Sequence, residues 1–122
     1  MAVSIEDLIN RKDEIQKVKK QQYDLKTSIG TITVKLPRRT IVIEANKLEG
    51  PGDADRYLLL NTIVEPDLHS HKLQEAYGCG EPTDIVDALF APGEVVAISQ
   101  KIMKLAGYGK DIQSEVHTVA KN

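Results

Sequence analysis

His69, His71 and Cys79, with Asp67 just upstream, form the one constellation in this sequence that suggests chemistry. His-x-His occurs in metal sites, and a thiol near imidazoles can serve as a ligand or a nucleophile. A structural zinc site takes four thiolate or imidazole ligands. This segment offers one thiol and two imidazoles, and the next candidate, His117, lies far along the chain. A cysteine nucleophile also needs a base held by a third group. Gly78-Cys79-Gly80 reads equally well as a turn whose glycines supply positive φ. The expectation is two solvent-facing histidines in a loop and a half-buried cysteine, with no metal, no cofactor and no catalytic residue.

Other motifs end the same way. Gly78-x-Gly80 and Gly107-x-Gly109 lack the third glycine and the strand-to-helix setting of a phosphate cradle. The carboxylate pairs Glu6 with Asp7, Asp53 with Asp55 and Glu81 with Asp84 each fall at a helix start, where they offset the helix dipole. Lys17, Lys19 and Lys20 suit a helix end for the same reason, and with Arg38 and Arg39 they could form a positive patch near a hairpin. The formal net charge of −2 gives no overall pull toward nucleic acid.

The elements that would carry these residues fit one domain of 122 residues, 41% apolar and 28% charged, ordinary values for a globular chain. With a single Phe and no Trp, its core must come from Ile, Leu and Val. One cysteine excludes an internal disulfide and suits a reducing compartment. No apolar run approaches the ~20 residues of a membrane span, and the acidic start Ser4-Ile5-Glu6-Asp7 does not read as a secretion signal.

Along the chain, Ser4 is an N-cap for a helix over 4–20, with Asp7 placed as in a capping box. Alternating polarity over 23–36, around Ser28-Ile29-Gly30, predicts a β-hairpin that Pro37 ends. Residues 38–49 are ambiguous: Thr40-Ile41-Val42-Ile43 favours strand, whereas Pro37 and Glu44-to-Leu48 favour helix. After the break at Glu49-Gly50-Pro51-Gly52, Asp53 caps a central helix running through Ile63 and Val64 to a stop at Pro66. Ser70 caps a helix over 71–77. Pro82 and Pro92 open helices over 82–90 and 92–106, the latter stopped by Gly107. Leu59, Leu60, Ile63, Ile85, Leu89, Ile98 and Ile102 are the predicted core. Ile112, Val116 and Val119 share a weak helical face in a loosely attached tail.

The blocks Val64-Glu65-Pro66-Asp67-Leu68, Leu73-to-Gly78, Glu81-to-Val86, Phe90-Ala91-Pro92-Gly93-Glu94 and Leu105-to-Tyr108 resemble, in order and spacing, the XkdN-like phage tail assembly chaperones. Ser4-to-Ile9, followed by Arg11-Lys12, is similar too, so the resemblance covers about residues 4–108. It implies helix for 38–49. With the residue pattern it gives an α+β fold: an N-terminal helix, one β-hairpin, then a compact bundle of short helices. The domain is expected over 1–108, with a loosely ordered tail over 109–122.

The resemblance also implies a non-catalytic phage or prophage chaperone in the bacterial host cytoplasm, outside the mature virion. Its implied partner is the tape measure protein, with the tail tube protein a second candidate and self-association open; no nucleic acid and no membrane are involved. Tyr77, Leu89, Phe90 and Met103 are the expected contacts, since aromatics and Met recur at adaptable interfaces. All four could equally be ordinary core residues, and for Leu89 and Met103 core is the stronger reading. The alternative function is a small helix-turn-helix-like DNA- or protein-binding regulator. The predicted pair 82–90 and 92–106 carries only Lys101 and Lys104 as basic residues.

Overall fold

The structure is a computed structural model and describes residues 1–118. The hairpin forms where polarity alternates: β1 (Gln22–Thr27) pairs antiparallel with β2 (Gly30–Lys35), bringing Tyr23 opposite Val34 and Leu25 opposite Ile32. Gly30 adopts φ 121° at the turn, a conformation that side chains disfavour. The Thr27 hydroxyl donates to the Gly30 carbonyl at 2.7 Å and ties the turn ends together.

β2 is the middle strand of a three-stranded sheet, a feature not expected from the sequence. The third strand, β3 (Ile63–Glu65), lies antiparallel on the far edge of β2 with a register irregularity at Thr33 and Val34. The predicted extension of the central helix through Ile63 and Val64 is therefore corrected. That helix, α4 (Asp53–Thr62), ends where the Thr62 hydroxyl turns back to the Leu58 carbonyl at 2.7 Å. The β-branched pair then finds better packing on a pleated surface than in another helical turn. Gly52 takes the N-cap position at φ 75°, and Asp53 is the first helical residue rather than the cap.

The N-terminal helix is two pieces, α1 (Ile5–Asn10) and α2 (Lys12–Lys19), broken at Arg11. Asn10 is a weak helix former. The Arg11 guanidinium pairs with Asp7 at 3.1 Å and Glu14 at 3.3 Å, across the break. Ser4 caps α1 as expected, accepting from the Asp7 N–H at 3.1 Å. Neither piece buries a residue.

The run at 40–43 is helical in spite of its β-branched residues: α3 spans Arg39–Lys47. Val42 and Ala45 are buried, and α3 packs along α4. An apolar face at helical spacing thus overrides local β preference. Pro37 stays outside this helix, whose N-cap is Arg38.

α5 (His71–Ala76) is capped by Ser70, which accepts from the Leu73 N–H at 3.2 Å. α6 covers Asp84–Leu89, so Pro82 lies in the turn before it instead of opening it. The Asp84 carboxylate shapes that turn by accepting from the N–H groups of Gly80 and Glu81 at 3.0 and 2.9 Å. α7 (Pro92–Leu105) begins on proline as expected. Helices make up about half the chain.

One core joins the sheet to α4, α6 and α7. Ile32, Leu59, Leu68, Ile85 and Ile102 are fully enclosed, with Val34 and Val86 beside them. Of the seven predicted core residues, only Leu89 is partly exposed, packed against the cluster's edge. No buried side-chain polar atom among the described residues lacks a partner. Residues 110–118 form no helix or strand and their side chains are exposed. Val119 and the end of the predicted tail lie outside the described residues.

The hairpin turn is fastened to α7 by one carboxylate. Glu94 accepts from the Ser28 N–H at 2.8 Å and the Ser28 hydroxyl at 2.5 Å. These bonds hold the Glu94 carboxyl below its ordinary pKa, the hydroxyl contributing most and the backbone N–H next. A depressed folded-state pKa gives stability that is complete above the unfolded value, about 4.3. It is lost as pH falls through the folded value. Glu94→Gln should flatten the acid side of the stability profile. Urea midpoints taken through the glutamate range would check this, and an unchanged slope would count against the link.

Candidate partner-binding surface

Where the N-terminus of α4, the C-terminus of α6 and the N-terminus of α7 meet, they leave an open groove of about 480 Å³. Phe90 and Val95, both nearly fully buried, line its floor. Pro51, Pro92 and Val96 form its apolar sides, and Val96 is 44% exposed. Val95 and Val96 lie on adjacent faces of α7 because successive helical residues turn by about 100°. One therefore enters the core while its neighbour faces the groove.

The polar side is organised by Arg56. Its guanidinium donates to the Pro51 carbonyl at 2.9 Å, to Asp87 at 3.1 Å and to Asp53. The Asp53 bond is the chief cause holding Arg56 more firmly protonated than usual, and burial opposes it. This fan of bonds locks the loop before α4 and the exposed face of α6 to one side chain. Gly52 makes room for it: a Cβ there would lie 2.9 Å from Arg56 Nη1. Nearby, the buried Ser99 hydroxyl donates to Asp55 at 2.8 Å and joins α7 to α4.

The four expected contacts are dispersed. Tyr77, the C-cap of α5, is 53% exposed and lies outside this groove. Leu89 ends α6 and is partly buried. Phe90 is only 3% exposed, so most of its ring supports the groove from beneath. Its position follows from the end of α6: its N–H closes the last turn on the Val86 carbonyl while its ring joins the core. Met103 lies elsewhere, in a cavity of about 90 Å³ with Val42, Ala45 and Leu58.

Sequence reasoning missed Arg56, Asp87 and Val96. Asp53 and Arg56, three apart at a helix start, give a local signal for pairing. Asp87 joins them only through tertiary packing, and nothing in the sequence marks it.

The histidine-cysteine segment comes apart in space. His69 and His71 are exposed, while Cys79 packs at the core's edge. Asp67 accepts from the His69 N–H at 3.0 Å, a local turn contact. Among the described residues no three His, Cys, Asp or Glu side chains converge as a metal site would require. Among those residues, too, no helix is long and apolar enough to cross a membrane.

The model of one family, described as phage XkdN-like tail assembly chaperone protein, matches residues 12–120. The chain belongs to that family. The match begins after the Ser4-to-Ile9 block and continues past Tyr108, so it reaches further into the tail than the quoted blocks do. No curated protein and no solved structure gives a significant match. This XkdN-like tail assembly chaperone is built as a three-stranded sheet under a helical bundle.

Proposed function

We propose that this chaperone binds the tape measure protein by seating an apolar helix face in the groove walled by α4, α6 and α7. It catalyses nothing, works in the host cytoplasm, and releases its partner as tail tube subunits assemble. The observation carrying this reading is the groove itself: an apolar floor already packed in place, an exposed Val96 and a rigid charged rim.

The physics suits the task. Long apolar helices aggregate unless covered, and a preformed groove covers one by helix-in-groove packing. A floor built from core residues spends no free energy on ordering when the partner arrives. The rim of Asp55, Arg56 and Asp87 can read polar residues flanking the partner's apolar stripe. Tyr77 and Leu89 are the outlying contacts, Phe90 the support beneath, and Met103 a contact only if the partner reaches α3. A DNA-binding role has less behind it, since α6 carries no basic residue and α7 only Lys101 and Lys104.

Co-expression with the tape measure protein is the test. The chaperone should raise the soluble yield of that protein and co-purify with it. Val96→Asp, at an exposed position, should cut the recovered complex at least about tenfold, the equivalent of ~1.4 kcal/mol. Tyr77→Ser should weaken it less. A tape measure that stays insoluble, or a complex indifferent to Val96→Asp, would overturn the reading.

A further inference from the structure

α1 is a six-residue helix that buries nothing, and so short a helix is marginal alone in water. Ile5, Leu8 and Ile9 share one face by their spacing. They are 77%, 48% and 67% exposed. Glu6 borders that face. Asp7 is engaged with Arg11. α1 is therefore an apolar stripe edged by one free carboxylate.

Its complement lies at the opposite end of α2. There Lys19, Leu36, Pro37, Arg39, Ala106 and Tyr108 line a groove of about 420 Å³. Among the described residues neither Lys19 nor Arg39 has an ion-pair partner. α1 leaves α2 at the end away from Lys19, and no residue of α1 lines the groove of its own chain.

We propose that α1 of one copy docks in the Lys19–Arg39–Tyr108 groove of a second copy, each chain giving its arm and receiving the other's. Ile5, Leu8 and Ile9 lie on Leu36, Pro37, Ala106 and Tyr108, and Glu6 meets Arg39 and Lys19. Because every chain carries both halves of the contact, a two-fold pair closes on itself. The surface is separate from the groove proposed for the tape measure protein, and it needs no partner other than this chain.

Sedimentation equilibrium of the purified full-length chain tests this without any tape measure protein. A concentration-dependent dimer, weakened by salt, is expected. Glu6→Lys and Arg39→Glu should each raise the dissociation constant at least about tenfold. Mixing those two variants should restore a dimer, because each arm then meets an opposite charge in the other's groove. The double variant Glu6→Lys/Arg39→Glu should pair with itself again. Unchanged circular dichroism would show that the variants remain folded. A chain that is monomeric at every concentration, a dimer indifferent to both reversals, or a double variant that fails to restore association would each overturn the proposal.

Discussion

Leu59→Ala is expected to cost about 3–5 kcal/mol, read as a lowered urea midpoint at unchanged slope. Leu59 sits in the helix that touches the most neighbours: α4 packs on α3, α6 and α7 and runs directly into β3. The side chain is fully buried, and its neighbours belong to elements that are themselves pinned. Arg56 holds α6 and the preceding loop, and Ser99 holds α7. The walls of the resulting cavity can relax only partly, which puts the cost high in the range for such truncations. Domains of this size are stable by only ~5–15 kcal/mol, so the variant would approach the threshold for folding. Leu89→Ala, at the core's edge, should cost clearly less. Equal losses at the two positions would show that the core is centred elsewhere.

The elements that could be read in the sequence carried their signals locally. Ser4 and Ser70 cap helices through their own hydroxyls, Pro92 opens α7, and the alternation over 23–36 needs only neighbouring residues to be interpreted. What escaped was tertiary. Ile63 and Val64 follow three leucines, and apolarity alone extends the helix over them. Only the free edge of β2, far upstream in the chain, makes strand the better state. α3 shows the opposite conflict, with a local β preference losing to the face of α4. The break at Arg11 had one faint local mark, the weak helix former Asn10 before it, in an arm that buries no residue to hold it straight.

The candidate surface was legible to a smaller degree. Choosing aromatics and Met as contacts picked out Phe90, whose ring is packed into the core. In a chain with one Phe, that ring is the largest apolar side chain available for filling the interior. Val96 carried no such mark. It is one of a valine pair, and which of the two faces outward is decided by the phase of α7 against α4 and α6. Arg56 and Glu94 were visible as charges, but their bonds to Asp87 and Ser28 span 31 and 66 residues and arise only in the folded chain.

Val34→Asp should abolish cooperative folding, whereas Lys35→Asp should shift stability by no more than about 0.5 kcal/mol. The contrast follows from the place of β2 between two strands. Val34 faces inward, is fully buried, and lies opposite Tyr23 on one side and Ile63 on the other. A carboxylate there has no cation within the apolar cluster to pair with. It must either be buried charged, at a cost of several kcal/mol, or be protonated far from its ordinary pKa. Neither leaves much of a domain's total stability. Lys35, one residue on, is exposed and points to the opposite face, since side chains alternate along a strand. The pair therefore tests register as well as burial: a slip of one residue would exchange the two outcomes. Thermal and urea melts followed by circular dichroism would read both variants. A cooperative transition for Val34→Asp near that of the parent chain would mean that β2 does not form the centre of the sheet. β3 would then lose the edge on which it forms.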